Sequence, residues 1–139
     1  MQRLLCYSLF FLCLSLSACS NHLPASVPQK SITITVTPAG YAYIGKDTLA
    51  IEDLAKELQT RFWKSYLGTG KTQDRIHLVF NGEVLMGTRG AAMDAIHEGQ
   101  QLALKDICLQ RYKTLYDALT KKQQAKLKKL FPVLFQTMY

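Results

Sequence analysis

Cysteine, histidine and carboxylate side chains are the groups in this chain best able to do chemistry, and they are sparsely placed. The three histidines are His22, His77 and His97. None stands at metal-ligand spacing from a cysteine, an acidic residue or another histidine, so no metal site is expected. His97 and Asp94 lie three residues apart and share a face if that segment is helical, a pairing commoner on exposed helices than in catalytic sites. No Gly-x-Ser-x-Gly elbow is present. Gly68-Thr69-Gly70-Lys71-Thr72 ends like a phosphate-binding loop, but that loop needs a glycine four residues before Gly70-Lys71, and Ser65 stands there. The segment reads as a plain loop. Taken together, these residues predict a protein that is not an enzyme and uses no cofactor. Of the four cysteines, Cys6 and Cys13 lie in an N-terminal apolar run, and Cys108 reads as a small buried apolar residue. Cys19 follows Leu16-Ser17-Ala18, and its fate depends on the segment that carries it.

Residues 4–16 are apolar and follow Arg3. They have the length of a secretory signal's apolar region and fall short of the ~20 residues that span a bilayer. The small residues Ser15, Ser17 and Ala18 would suit a general signal peptidase cutting after Ala18. Leu16-Ser17-Ala18-Cys19 also reads as a lipobox, and in this it resembles the N-terminus of bacterial lipoproteins. The resemblance implies that Cys19 becomes the mature N-terminus, with a diacylglyceryl group on its sulfur and a further acyl chain such as palmitate on its amine. With ~0.8 kcal/mol per buried methylene, several chains make a lasting membrane anchor. Ser20, in place of an aspartate that would favour inner-membrane retention, implies the outer membrane, periplasmic face. The expected division is a signal peptide at 1–18 and a lipidated cysteine with flexible tether at 19–30. The tether carries Pro24 and Pro28 and shows no periodicity.

Once the signal is removed, about 120 residues remain, enough for one small domain. Only Cys108 is left inside it, so no intramolecular disulfide can form. The net charge of +7 is dominated by Lys121, Lys122, Lys126, Lys128 and Lys129. Such a surface suits anionic lipid headgroups, acidic cell-wall polymer or an acidic protein, or serves simply as a solvated helix face. An extracytoplasmic address makes nucleic acid a poor partner.

Ile32, Ile34 and Val36 alternate with threonines, the pattern of a half-buried strand. Thr37-Pro38-Ala39-Gly40 supplies a turn, and Tyr41-Ala42-Tyr43-Ile44 returns as the second strand of a hairpin ended by Gly45-Lys46-Asp47. Over residues 50–66, Ile51, Leu54, Ala55, Leu58, Phe62 and Tyr66 recur at helical spacing. Glu52 and Asp53 suit the helix start and Gly68 to Gly70 the stop. Trp63 lies off this stripe and is read as extending the core at one end. Residues 75–80 read as a central strand closed by Asn81-Gly82. Another helix starts at Thr88 or Gly90, with Gly99 placed as its C-cap. Residues 101–108 fit either a last strand or a continuation of one long helix through Gly99. Residues 109–131 read as helix, stopped by Pro132.

This order resembles the periplasmic domain of the ExbD/TolR family. Residues 36–46 are similar to that family's opening hairpin, 51–58 to its first helix, 76–81 to its central strand and 88–99 to its second helix. The implied fold class is α+β, a small mixed sheet with two helices packed on one face plus a C-terminal helix. The division that follows is an ExbD/TolR-like domain at 31–108 and a basic C-terminal helix and tail at 109–139. The family's transmembrane helix carries an aspartate used in proton-driven work, whereas the N-terminal apolar segment here has no acidic residue. Energy transduction is therefore not carried over, and Ala50 replaces the usual Ser or Thr helix cap. What the resemblance does imply is homodimerisation through sheet edges and binding to an envelope protein or peptidoglycan. Tyr41, Tyr43 and the five C-terminal lysines are the candidate contacts. Leu119-Thr120-Lys121-Lys122-Gln123 also matches the LTxxQ motif of Spy-like stress proteins, although a helix start capped by Thr120 explains the same residues. The expectation is thus a lipid-anchored, non-catalytic binding module. The alternative is a chaperone-like lipoprotein acting through its helical C-terminal half.

Overall fold

The computed structural model describes residues 31–138; the signal, Cys19 and the tether lie outside the described residues. The fold is α+β. Strands β1 (Ser31–Val36), β2 (Tyr41–Ile44), β3 (Asp47–Ala50) and β4 (Arg75–Phe80) form one sheet in the order β3-β2-β1-β4. β1 pairs antiparallel with β2 and parallel with β4, and β2 pairs antiparallel with β3. Helices α1 (Ile51–Thr69), α2 (Met86–Tyr112) and α3 (Lys121–Leu130) complete the domain, with short 3₁₀ turns at Tyr116–Ala118 and Pro132–Phe135.

The alternation in β1 buries Ile32, Ile34 and Val36. Their antiparallel neighbours Ala42 and Ile44 are buried with them, Val36 lying opposite Ala42 and Ile34 opposite Ile44. Gly40 takes φ +81° in the connecting turn, which closes through its N–H donating to the Thr37 carbonyl at 3.1 Å. The chain does not stop at Asp47. Gly45, at φ +64°, turns it into β3, a strand whose four residues include two fully exposed polar ones and so carry no readable alternation.

α1 buries Leu54, Ala55, Leu58 and Phe62. Its cap residue Ala50 makes no side-chain bond to the helix, and Gly70 ends it in the left-handed conformation with its N–H on the Tyr66 carbonyl. Trp63 stacks on Tyr66 with ring centroids 5.7 Å apart and is half-buried at the end of the core.

The second helical region takes one of the two alternatives open at 101–108 and departs from expectation in two further places. Residues 101–108 are helical and belong to a single 27-residue helix, α2. Gly99 is inside that helix and not at its end. A Cβ there would sit 2.8 Å from the Ala55 carbonyl oxygen and 2.9 Å from Leu58 Cβ, so the glycine lets the α2 backbone lie directly on α1. The helix expected over 109–131 is broken: Lys113 adopts φ 59° to end α2, and α3 starts afresh at Thr120. There Gln123 N–H donates to Thr120 Oγ1 while Thr120 N–H donates to Gln123 Oε1, a full capping box.

A boundary after residue 108 falls within α2. Leu119, Leu127, Phe131, Val133 and Leu134 join the same buried cluster as Ile34 and Leu58, so the C-terminal segment packs into the one core. α1 and α2 run in the same direction, with Gly99 against Ala55 and Leu58 and Asp106 accepting from Gln59 Nε2 at 2.7 Å. At about 40 Å, α2 is roughly twice as long as a six-residue strand. Its far end therefore overhangs the sheet, and the segment after it folds back into the space below.

Alanine at two helical glycines should act with opposite sign. Gly99→Ala is expected to lower stability by about 1–3 kcal/mol through overpacking, despite better helix propensity. Gly90→Ala faces open space and should raise stability by about 0.5–1 kcal/mol. Urea unfolding midpoints of the two variants against the parent check both.

Candidate functional site

Side chains alternate across a strand, so a sheet covered by helices on one side leaves every second residue of each strand on the other side. That uncovered face is built from Thr33 and Thr35 of β1, Tyr41 and Tyr43 of β2, Thr48 of β3 and His77 and Val79 of β4. Register sets them in rows: Tyr43 lies between Thr48 and Thr35, Thr35 lies beside Val79, and Thr33 lies beside His77. Tyr41 is 49% exposed and Tyr43 40%, high values for large side chains on an interior strand, and Val79 on the edge strand β4 is 45% exposed. The face therefore offers two aromatic rings with hydroxyl tips, an aliphatic residue and a surround of threonines. Such a surface recognises by stacking and hydrogen bonding rather than by charge.

A second feature lies where β1, β3 and β4 end. These three strands run parallel, so their C-terminal ends share one side of the domain with the N-termini of α1 and α2. An open cleft of about 650 Å³ sits there between the β1–β2 turn, Ile51 and Glu52 of α1, and Gly87, Ala91 and Ala95 of α2. Glu52, Asp94 and Glu98 stand on its rim. Their carboxylates oppose the anion preference that a helix N-terminus would otherwise confer. The hydroxyl side chains that line the cleft beside these acids are those of Tyr41 and Thr88.

The basic residues are elsewhere. Lys121, Lys122, Lys126, Lys128 and Lys129 are all exposed on α3, whose inner face is Leu127 with the half-buried Gln123 and Gln124. The structure does not bring these lysines together with Tyr41 and Tyr43: the tyrosines lie on the uncovered sheet face and α3 packs with the helices. Cys19 lies outside the described residues.

The remaining chemical residues have structural surroundings. His97 and Asp94 are exposed on α2 beside a small hollow of about 210 Å³ that also touches Gln100, Gln136 and Met138. Among the described residues no three His, Cys, Asp or Glu side chains converge on a point. Gly68-Thr69-Gly70-Lys71-Thr72 finishes α1, with Ser65 Oγ donating to the Lys71 carbonyl at 3.0 Å. Cys108 is fully buried, and burial pushes its thiol above the ordinary value.

Two glutamines that the sequence did not single out secure the tail. Gln100, buried in α2, donates from Nε2 to the carbonyls of Val133 at 2.6 Å and Gln136 at 3.0 Å. Gln136 in turn accepts from Ile76 N–H at 2.8 Å and donates to the Ile76 carbonyl at 2.9 Å. Its side-chain amide thus pairs with the β4 edge as a neighbouring strand would. At Ile76 this edge is already occupied, which bears on any pairing of two copies through β4. The opposite edge, at β3, carries an ion pair between Arg61 and Asp47, with Arg61 also bonded to Glu57 at 2.7 Å. The one sequence signal that could have flagged Gln100 is its position one turn from apolar Ile96, Ala103 and Leu104 on the inner stripe of a long helix.

Compared with family models, curated proteins and solved structures, the chain matches none.

Gln100→Leu should cost about 1–3 kcal/mol, because two carbonyls lose their donor in a largely dry site. It should also free the tail, detectable as faster amide exchange at Ile76. Cys108 should react with a thiol reagent only on unfolding. Its raised pKa adds no pH dependence below the ordinary thiol value, where both states are neutral. Above that value the unfolded chain loses its proton first, so stability falls. The stability difference between the parent and Cys108→Ala should accordingly shrink as pH rises from about 8 to 10 in chemical denaturation.

Proposed function

We propose that the chain is a lipid-anchored, non-catalytic binding module of the bacterial envelope. In this reading Cys19 holds it at the periplasmic face of the outer membrane, and the uncovered sheet face contacts an envelope protein or the cell wall. The carrying observation is the placement of Tyr41 and Tyr43 side by side on a sheet face that no helix covers. Aromatic side chains of this kind give large contact area with a polar tip and are enriched where proteins bind partners. The Leu16-Ser17-Ala18-Cys19 lipobox supports the anchor, and no helix among the described residues is long and apolar enough to cross a membrane. The order of hairpin, helix, strand and helix over residues 31–99 supports likeness to the ExbD/TolR periplasmic domain, with partner binding retained and proton-driven work left out.

The chaperone-like reading draws less support. Residues 101–108 are helical, as that reading asks, yet Ala103, Leu104, Ile107 and Cys108 are buried, and the exposed Leu109, Leu115 and Leu130 lie on three separate segments. Leu119-Thr120-Lys121-Lys122-Gln123 is accounted for as a capped helix start.

Cys19→Ala should abolish palmitate incorporation and release the protein from the membrane fraction. Tyr41→Thr combined with Tyr43→Thr should leave the thermal midpoint nearly unchanged while lowering retention of the crosslinked partner or sacculus by about tenfold or more. Failure of the parent protein to retain any partner or sacculus from native envelopes would sink the reading.

A further inference from the structure

The two ends of this domain differ in charge, and the point where the chain enters lies at the lysine-rich end, which also holds Asp47 and Asp74. α3 holds five lysines in ten residues and no acid, and all five are exposed. Glu52, Asp94 and Glu98 stand at the opposite end, around the cleft where β1 and β4 finish. β1 starts at Ser31, paired with Arg75 at the start of β4. The next residue of β4, Ile76, is held by Gln136. Gln136 directly follows the 3₁₀ turn that continues from α3, and within that turn the Phe135 ring lies 5.7 Å from Lys128 Nζ. Phe131, which closes α3, packs edge-on against Tyr66 in the last turn of α1. The lysine helix therefore sits beside Ser31, the first described residue.

Eleven residues separate Cys19 from Ser31. Even fully extended they reach about 40 Å, so an anchored Cys19 keeps the basic end within reach of the bilayer surface. Tethering at that range supplies an effective concentration that makes weak contacts count. We infer that α3 adsorbs to the anionic phospholipid surface of the membrane that holds the Cys19 lipid; this rests on the anchored reading above. The contact is electrostatic and does not insert, because Leu127, the apolar residue central to the helix, is already buried in the core. Each lysine brought to an anionic surface strengthens binding by about fivefold, so two or three in contact suffice. Repulsion of the acidic rim sets the orientation, turning the cleft away from the bilayer, toward the space where a cell-wall or protein partner lies.

The test uses the full chain extracted from membranes and reconstituted into phosphatidylcholine vesicles, with or without about 30% phosphatidylglycerol. A soluble amine-acylating reagent is followed at each lysine by mass spectrometry. The expected result is about tenfold slower acylation of the α3 lysines with phosphatidylglycerol, reversed by about 0.5 M NaCl, while Lys56, in the second turn of α1 near the cleft, is unchanged. Lys122→Gln with Lys129→Gln, both at exposed positions, should remove the protection of the remaining three. Equal acylation in both vesicles overturns the inference, as does protection by isolated sacculi in place of phosphatidylglycerol. A chain that fails to float with phosphatidylcholine alone overturns the anchor; phosphatidylglycerol-dependent, salt-sensitive flotation would then still support the surface contact, and its absence would overturn it.

Discussion

The direct contact of α2 with α1 at Gly99 is the constraint on which the remaining architecture depends. A side chain at that position would push the α2 backbone off Ala55 and Leu58, and the two helices could not lie together over the sheet. Because the contact falls in mid-helix, α2 continues unbroken for more than three turns beyond it and places Gln100, Ala103, Leu104 and Ile107 against the core. Gln100 adjoins the glycine in sequence, so the same close approach that joins the helices also sets the donor that holds Val133 and Gln136. Helix pairing, closure of the core by the tail and occupation of the β4 edge by Gln136 thus follow one another along a short path.

That packing makes the domain one-sided. Both long helices and the tail lie on the face that carries Ile32, Ile34, Val36, Ala42, Ile44 and Ile76, and nothing among the described residues covers the face of Tyr41 and Tyr43. The parallel arrangement of β3, β1 and β4 adds an axis, since it gathers strand C-termini and helix starts at one end and leaves helix ends, α3 and Ser31 at the other. Glu52 and Asp53 stand in the first turn of α1 and Arg111 in the last turn of α2, as local electrostatics favours. Running both helices in the same direction sets these groups at opposite ends of the domain.

Much of this was legible in the residues. The β1–β2 hairpin, α1 with its buried stripe, the span of β4 and the Thr120 cap lie where period and turn chemistry place them, because each depends on neighbours within a few positions; β4, expected as a central strand, is instead an edge strand. β3 was not legible: its Asp47 and Thr48 are exposed, and it exists because β2 offers an unpaired edge directly after a glycine turn. Gly99 resembled a helix stop for the same reason, since sequence shows a missing side chain and cannot show what fills the space. The break at Lys113 was hidden inside a helical pattern, as nothing in Tyr112-Lys113-Thr114 marks a left-handed residue.

Local chemistry along the chain thus determined an apolar N-terminal run before Cys19, a β-rich start, amphipathic helices and a lysine-dense C-terminal segment. Those properties belong to residue types and short spacings. Only the tertiary structure decided that residues 101–108 are helix, that the tail completes the core through Gln100 and Gln136, that the two tyrosines stay uncovered, and that the lysines lie beside the point of chain entry. These are relations between residues some 30 to 100 positions apart, and they follow from which surfaces can approach closely enough to exclude water.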